Sequence, residues 1–349
     1  MTNPSDTAVA SELEALLPAT HPAGLAFPAQ RPQVSGNIRV QPEDFCVDEL
    51  PQATPSGEGE HAWLHIRKTG ANTAWVAKQL AAFAGVNPRD VSYAGLKDRH
   101  AVTTQWFSVW LPGRADPDWS ASQIEGAEIL QATRHSKKLR RGELKGNRFN
   151  LRVTGLRGDA DQLALIPAAL DAIAEQGVPN YFGVQRFGHD ASNLKRFAGL
   201  SQGQRIDRQQ RGLILSAVRS ALFNHFLNQQ VVTGNWNHCD DDAIPLSDRD
   251  GDLDSFTALV DDDALNRPTG VLWGEGRGRL SRTEEAFFAA YPALCGALLE
   301  LDLRRHRRSL WLPVVDLAYE LDSDNLQLSF SLPPGAFATT VLDAIADIN

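Results

Sequence analysis

The order of hydrophobic and polar residues predicts both strands and helices in the first half of the chain. Residues 36–50, GNIRVQPEDFCVDEL, alternate around β-branched positions and predict two strands joined by a turn of proline and acidic residues. Residues 72–85, NTAWVAKQLAAFAG, place apolar residues at helical spacing. They predict a helix that begins after the polar Asn72 and ends at Gly85. This half of the chain therefore favours a domain that mixes helices with strands.

Further strand patterns follow this helix. Residues 91–109 predict a strand, a polar turn and a second strand. Residues 148–156, RFNLRVTGL, predict another alternating strand, with a helix after it near residues 160–176. The succession indicates a sheet whose strands are largely antiparallel.

The pattern changes at Gly177 and changes back near Trp311. Long helical patterns predominate between these positions, and alternating strand patterns return afterwards. We therefore expect an α+β fold in which a mixed, largely antiparallel sheet domain is interrupted by a second, α/β insertion domain. The expected ranges are 1–22 for a flexible, at most weakly helical lead-in, 23–176 with 312–349 for the sheet domain, and 177–311 for the insertion.

Length and composition agree with two domains of an ordinary globular protein. The 349 residues exceed what one hydrophobic core usually holds, and 42% are hydrophobic while 22% are charged. The sequence has no apolar run long enough to span a membrane, and its N-terminus does not resemble a secretion signal. Its cysteines, Cys46, Cys239 and Cys295, form no C-x-x-C pair. This spacing favours reduced thiols in a cytoplasm over a disulfide framework or a zinc site.

The formal net charge of −9 comes from one acidic segment. Residues 240–263 contain ten aspartates and one arginine, so the rest of the chain is neutral overall. Two other segments are basic: residues 134–148 carry seven Lys/Arg against one Glu, and residues 303–308, LRRHRR, carry four arginines. Local patches of this kind are typical of nucleic-acid contacts. Solvated surface is the alternative interpretation.

The sequence does not match several well-known motifs of metal sites, nucleotide sites and hydrolases. The segment DRDGDLD, residues 248–254, has Leu253 and Leu259 where an EF-hand needs Gly and Glu, so a calcium-binding insertion is only a weak hypothesis. The glycines of WGEGRGRL do not form a dinucleotide-binding pattern. The sequence has no P-loop, H-E-x-x-H or G-x-S-x-G motif, which argues against NTPases, zincins and α/β-hydrolases.

The polar turn within residues 91–109 holds a single carboxylate, Asp98, between Lys97 and Arg99. If the flanking residues alternate, the two cations point away from Asp98, and a cation from elsewhere in the chain could orient it. A purely structural role is also open, because aspartates often accept hydrogen bonds from the backbone of their own turn.

Four longer motifs resemble those of the TruD family of tRNA pseudouridine synthases, in the same order along the chain. They are YAGLKDRHAVTTQW (93–106), KGNRF (145–149), GVPNYFGVQRFG (177–188) and PGAFAT (334–339). The resemblance covers nearly the whole chain after the first twenty or so residues. It implies a catalytic pseudouridine-synthase sheet domain interrupted by a TRUD insertion domain. It also implies isomerisation of uridine to pseudouridine in tRNA, at position 13 of the D arm, without a cofactor or metal.

The same resemblance implies roles for individual residues. Asp98 falls on the catalytic aspartate, and Phe149 falls on an active-site aromatic. Phe45, Asn147 and Phe337 fall on positions that line the substrate pocket. The residue that aligns with the ion-pair partner of the aspartate is Arg39, where the family pattern has lysine. Arginine and lysine differ in hydrogen-bond geometry, so this role is less directly transferred.

The chemistry of the reaction suits these residue types. A carboxylate can act as a nucleophile, or as a base on the ribose, while positive charge develops at the anomeric carbon. An aromatic pocket can retain the detached uracil and exclude water. Without the resemblance, Phe45 and Phe337 would be expected in the core and Asn147 in a turn.

The expected partner is tRNA, with no membrane and no obligate protein partner. Phosphate contacts are expected from the basic segment, and the RRHRR run is a second candidate. The residues proposed for this contact are Arg134, Lys137, Lys138, Arg140 and Arg141. A non-catalytic RNA-binding or RNA-chaperone protein with the same fold is the alternative function.

Overall fold

The structure is a computed structural model that describes residues 4–248, 258–276, 278–301 and 303–348. Its helices are α1 Pro4–Leu16, α2 Thr73–Ala84, α3 Ala160–Leu163, α4 Ile166–Gln176, α5 Ser192–Lys195, α6 Phe197–Ser201, α7 Arg208–Thr233, α8 Arg282–Ala289, α9 Pro292–Leu299 and α10 Ala338–Leu342. Its strands are β1 Ser35–Asn37, β2 Phe45–Pro51, β3 His61–Lys68, β4 Val91–Tyr93, β5 Val102–Trp110, β6 Ala127–His135, β7 Leu144–Arg157, β8 Val178–Pro179, β9 Thr269–Leu272, β10 His306–Ser309, β11 Trp311–Leu312, β12 Val315–Asp322, β13 Asn325–Leu332 and β14 Asp347–Ile348.

Most strands join one sheet in the order β12-β13-β7-β2-β5-β3-β6. The short strand β4 adds to β5, and β1 lies between β7 and β14. The β2–β5 and β1–β14 pairs are parallel, and the other pairs in this sheet are antiparallel. The expected α+β fold with a largely antiparallel sheet is confirmed. Strand β13, near the C-terminus, pairs with β7 from the first half of the chain. Segments on both sides of the predicted insertion therefore share this sheet.

The elements with strong local signals form where the sequence predicts them. Helix α2 begins after Asn72, whose side chain accepts a hydrogen bond from the Ala74 N–H, and it ends at Gly85 in the left-handed conformation. Strands β1 and β2 flank the turn of proline and acidic residues. Strands β4 and β5 form the antiparallel pair predicted within residues 91–109.

The chain leaves the large sheet and returns to it through two short paired strands. Strand β8 follows Gly177 and pairs antiparallel with β11, so the ends of the predicted insertion lie side by side. Residues between them build a core of their own around α7, in which Leu222, Phe223 and Leu227 are fully buried. The large sheet packs over separate cores. The exact domain boundaries stay a prediction.

Helix α1 packs against the core of this inserted segment, which differs from the loose lead-in expected for residues 1–22. Val9, Leu13 and Leu16 recur at helical spacing and are buried there. The Glu12 carboxylate accepts hydrogen bonds from the backbone N–H groups of Ala293 and Leu294 at the start of α9, at 3.1 and 2.7 Å. These contacts involve residues far away in the sequence, so the local pattern alone does not reveal them.

Three features considered in the sequence are a calcium-binding loop, a membrane span and a metal-binding cluster. The acidic segment DRDGDLD lies mostly outside the described residues, so the calcium hypothesis is not addressed by the structure. Among the residues that are described, no helix combines the length and apolar character needed to cross a membrane. The same residues contain no cluster of three or more His, Cys, Asp or Glu side chains arranged to hold a metal ion.

Candidate active site

Asp98 lies in the loop that joins β4 to β5, and its two carboxylate oxygens have different partners. Oδ1 accepts a hydrogen bond from the His100 backbone N–H at 2.9 Å. Oδ2 lies 3.0 Å from Nη2 of Arg39. Asp98 therefore does what both interpretations of the sequence suggested: it caps its own turn and pairs with a distant cation. Such a pair holds the carboxylate in one orientation.

Arg39 is itself held in an unusual position. Its backbone has a φ of 60°, in the left-handed region that a residue with a side chain rarely adopts. Its guanidinium lies over the ring of Phe45, with the carbon Cζ 4.1 Å from the ring centroid. Its Nε is buried and has no hydrogen-bond partner among the described residues. The strained backbone thus presents the guanidinium to both Asp98 and the cavity described below.

A buried lysine supports the Asp98 loop from the sheet. Lys68, at the end of β3, is 1% exposed, and its Nζ donates to the backbone carbonyl oxygens of Asp98 and Lys97 at 2.7 and 3.4 Å. Burial lowers the pKa of Lys68 to about 8, although the negative charge of Asp98 opposes this shift. The sequence analysis did not identify Lys68, because a lysine at the end of a strand gives no signal of burial.

The neighbours of Asp98 bond elsewhere, as strand alternation suggested. Lys97 forms a buried ion pair with Glu49 on β2, with Nζ and Oε2 2.7 Å apart. Arg99 Nε donates to the carbonyl oxygen of Gly70 at 2.9 Å. These contacts fix both sides of the loop and leave Arg39 as the cation paired with Asp98.

A cavity of about 240 Å³ opens beside Asp98. The six residues that the resemblance placed at the active site all line it: Arg39, Phe45, Asp98, Asn147, Phe149 and Phe337. Phe45 and Phe149 are buried and meet edge to face, with centroids 6.2 Å apart and planes at 81°. Phe337 precedes α10 and is 47% exposed, so it forms the open edge of the cavity and is not a core residue.

Asn147 lies within β7, where its register partners are Glu49 on β2 and Leu332 on β13. The alternative interpretation as a turn residue is therefore wrong. Its Oδ1 is buried and lacks a hydrogen-bond partner in the described part of the chain. Because buried polar atoms are usually hydrogen-bonded, an orphaned acceptor on a cavity wall marks a place for a polar ligand group.

The cavity also includes residues that the sequence analysis missed. Gln185 lies in the short 3₁₀ turn Val184–Phe187, and Thr339 lies in α10; both line the cavity. Gln185 belongs to the motif GVPNYFGVQRFG and Thr339 to PGAFAT, two of the motifs that carry the family resemblance. Membership of these motifs is the sequence feature that could have identified both residues. Gln185 brings an amide from the predicted insertion to a cavity otherwise built by the sheet domain.

The basic segment is mostly solvent-exposed, with one exception. Lys137, Lys138, Arg140 and Arg141 are exposed, and Arg141 Cζ lies 4.2 Å from the centroid of the Tyr93 ring. Arg134 is used internally: its Nε lies 3.0 Å from the Asp116 carboxylate, and its other nitrogens donate to the carbonyl oxygens of Gly59 and Arg114.

Two arginines of the RRHRR run make contacts inside the protein. Arg307 forms an ion pair with Glu284 at 2.7 Å, with both side chains at most one-tenth exposed. Arg308 bonds to Asn180, and its Cζ lies 4.2 Å from the Phe182 ring centroid. These internal bonds argue against the phosphate contact expected of Arg307 and Arg308, which stays a prediction.

Comparison with known proteins gives concordant matches at the level of sequence. A family model described as tRNA pseudouridine synthase D (TruD) matches residues 25–199. The tRNA pseudouridine synthase D of Methylococcus capsulatus is 47% identical over 329 residues, which cover 90% of this chain and 92% of that protein. The protein of the same name from Pseudomonas aeruginosa is 42% identical and covers 97% of this chain and 96% of its own length.

The fold also matches a solved structure. A crystal structure from Methanosarcina mazei, assigned to tRNA pseudouridine synthase D (TruD), superposes with a TM-score of 0.67 over 91% of this chain and 95% of that one. The two sequences are 19% identical, so this match bears on the fold alone.

Proposed function

Because the chain belongs to the TruD family of tRNA pseudouridine synthases, we propose that it converts uridine to pseudouridine at position 13 of the D arm, with Asp98 as the catalytic carboxylate and no cofactor. Membership of the family makes the chain an enzyme that isomerises uridine in tRNA. The target position and the roles of individual residues form the finer part of the proposal.

One observation carries the assignment of the site. A carboxylate paired with an arginine lies on the wall of a cavity that two buried phenylalanines also line, together with an amide oxygen that has no hydrogen-bond partner among the described residues. Pseudouridine formation breaks the bond between N1 and the anomeric carbon, turns the uracil and joins C5 to that carbon. C5 loses a proton and N1 gains one, so the product is an isomer and the reaction needs no oxidant or reductant.

Asp98 would stabilise or bond the reacting carbon at the stage when the base is detached. Its Oδ2 is oriented by Arg39, and its Oδ1 by the turn N–H of His100, so the carboxylate reaches the substrate in a fixed position. Such a carboxylate can act either as a nucleophile on the anomeric carbon or as a base on the ribose.

The aromatic rings and the amide would retain the detached uracil. Phe45 and Phe149 provide an apolar wall that limits access of water to the intermediate. The orphaned Oδ1 of Asn147 can accept a hydrogen bond from the N3–H of uracil. A uridine must leave its stack to enter this cavity, as in other enzymes that act on a single base.

We expect Asp98→Asn to bind tRNA within about threefold of the wild type and to form pseudouridine at least about a thousandfold more slowly. Carbodiimide mapping at the target position, with mass spectrometry of nucleosides, measures the product. Asp116→Asn is the matched control, because Asp116 also lies 3.0 Å from an arginine and its side chain is equally exposed, yet it does not line the cavity. The control should keep near wild-type activity.

The alternative, a non-catalytic RNA-binding protein, makes the opposite prediction. Under that hypothesis RNA from a deletion strain would lack no pseudouridine, and Asp98→Asn would behave like Asp116→Asn in every assay. Product formation by Asp98→Asn at near wild-type rates would contradict the catalytic role of this carboxylate.

A further inference from the structure

A second cavity shares the Asp98 loop with the candidate active site. Asp98 lines the first cavity and the next residue, Arg99, lines the second, which has a volume of about 510 Å³. The loop between β3 and α2, the start of α2 and the loop before β6 provide its other walls. Because Asp98 and Arg99 are consecutive residues, both cavities border the same loop.

Trp75 presents an aromatic ring to this second cavity. It is the third residue of α2 and is 38% exposed, while the next residue, Val76, and Leu80 one turn later are fully buried. The helix is therefore anchored to the core by other side chains, and the indole contributes surface to the cavity. Exposed aromatic rings of this kind are the usual stacking platforms for unpaired bases.

Arg99 adds a cation at a defined position on the same cavity. Its Nε donates to the carbonyl oxygen of Gly70 at 2.9 Å, which fixes the plane of the guanidinium. Within the described residues this is the hydrogen bond made by its side chain, so the terminal nitrogens can donate to a phosphate. The side chain is exposed to solvent and to the cavity.

The charges that line the cavity favour a nucleotide over a simple anion. Glu125 lies on the wall together with Arg99, and its carboxylate would repel a bare phosphate or sulfate. A nucleotide avoids this conflict, because its base can stack on Trp75 and donate to Glu125 while its phosphate lies at Arg99. The indole ring and the carboxylate on this cavity are thus complementary to the base of one nucleotide, and the guanidinium is complementary to its phosphate.

From these contacts we infer that the cavity at Trp75 is a second nucleotide subsite, which binds the neighbour of the target uridine in tRNA by stacking on the indole. The inference rests on the proposed function, since it concerns the same substrate. Binding the neighbour in this way would hold the backbone beside Asp98 while the uridine turns out of its stack.

Steady-state kinetics with tRNA test the subsite. We expect Trp75→Ala to raise KM about 5- to 100-fold, as loss of one base-stacking contact would, while kcat at saturating tRNA stays within about threefold. Trp75→Phe should recover most of the affinity, because a phenyl ring also stacks. The matched control is Trp110→Ala: this residue is 42% exposed and lies at the far end of β5, about 26 Å of strand from the end that adjoins the Asp98 loop.

A fluorescence measurement tests the stacking directly. The fluorescent base 2-aminopurine is placed on the 5′ or 3′ side of the target uridine in two RNAs, each bound to Asp98→Asn so that no product forms. One of the two RNAs should be quenched on binding, and the double variant Asp98→Asn/Trp75→Ala should lose that quenching although binding is saturated. The Asp98→Asn/Trp110→Ala protein should keep it.

The outcomes separate this inference from the proposed function. If the wild type forms pseudouridine but Trp75→Ala keeps its KM and the quenching, the subsite is overturned and the function stands. If the wild type forms no pseudouridine, the proposed function fails, and the quenching still decides whether Trp75 stacks on bound RNA. Equal effects of Trp75→Ala and Trp110→Ala on KM would also overturn the inference.

Discussion

Lys68 has the most unusual environment of the side chains around the Asp98 loop. It is a buried cation whose hydrogen-bond acceptors are two consecutive backbone carbonyls, those of Lys97 and Asp98, and its Nζ makes no ion pair with a carboxylate among the described residues. A buried charge costs free energy unless it is well solvated by polar groups. We interpret Lys68 as a positioning residue that fixes the loop backbone and thereby the Asp98 side chain.

The lowered pKa of Lys68 has opposite consequences for stability and activity. Below about pH 8 the lysine is protonated in the folded and the unfolded chain, so its contribution to stability does not vary with pH. Between about pH 8 and the ordinary lysine value of 10.5, the unfolded chain binds more protons, so this contribution to the unfolding free energy rises with pH. Deprotonation over the same range removes the charge that holds the loop, so kcat should fall as pH rises through 8.

We predict that Lys68→Met lowers kcat at pH 7 at least tenfold, leaves KM for tRNA within about threefold, and removes the decline of kcat near pH 8. The variant leaves two loop carbonyls without their donor, at a cost of about 1–3 kcal/mol each if they stay dry. Steady-state kinetics between pH 6 and 9.5 measure kcat and KM, and Lys78→Met on the exposed face of α2 is the control. An unchanged pH profile in Lys68→Met would contradict the positioning role.

At the scale of elements, the junction after α4 depends on one glycine. Gly177 has a φ of 72° and a ψ of −160°, and a Cβ atom there would lie 2.5 Å from the carbonyl oxygen of Leu312 and 2.6 Å from Nε1 of Trp311. These atoms belong to β11, which pairs with β8 directly after the glycine. A side chain at this position would therefore push apart the two strands through which the chain leaves and rejoins the sheet.

We predict that Gly177→Ala lowers the unfolding free energy by at least about 3 kcal/mol, because it combines backbone strain with a clash against backbone atoms. Gly234→Ala is the matched control: Gly234 ends α7 with a φ of 82°, but a Cβ there would meet nothing within 4 Å. The control should lose only about 1–2 kcal/mol from strain. Urea unfolding of both variants makes the comparison, and similar losses would show that the β8–β11 junction tolerates a side chain.

Elements with local signals were predictable from the sequence, whereas contacts between distant segments were not. The cap at Asn72 and the stop at Gly85 lie within the segment that they bound, so α2 could be predicted together with its ends. The resemblance to a family identified Asp98 and the residues around it, because its long motifs mark positions that come together in the folded protein. Lys68, Gln185 and the burial of Arg307 depend on partners far along the chain, and no local pattern reports such partners.

At the scale of the whole molecule, the net charge of −9 is unfavourable for binding tRNA, which is itself a polyanion. Ten of the protein's aspartates fall within residues 240–263, and the remaining residues balance in charge, so RNA can meet a local basic surface. The exposed members of the basic segment are Lys137, Lys138, Arg140 and Arg141. They follow β6 and precede β7, the strand that carries Asn147 and Phe149 into the active-site cavity.

We predict that replacing these four residues with glutamine weakens tRNA binding and flattens its dependence on salt. Each phosphate contact contributes close to one unit to the slope of log K against log salt concentration, so losing two to four contacts should lower the slope by about that number. The measurement is the tRNA affinity between 50 and 300 mM salt, and kcat at saturating tRNA should change little because none of the four lines the cavity.

The variant Arg134→Gln tests whether an arginine that is bonded inside the protein contributes to tRNA binding as the exposed residues of the same segment do. The Arg134 guanidinium is paired with Asp116 and bonded to two carbonyl oxygens, so its loss should lower the melting temperature while leaving the salt slope nearly unchanged. If the quadruple variant keeps the wild-type slope, phosphate contacts lie elsewhere on the molecule. Arg134→Gln could instead flatten the slope as much as replacement of one exposed residue does. That result would mean that the internal contacts of Arg134 open when tRNA binds and that Arg134 also contacts phosphate.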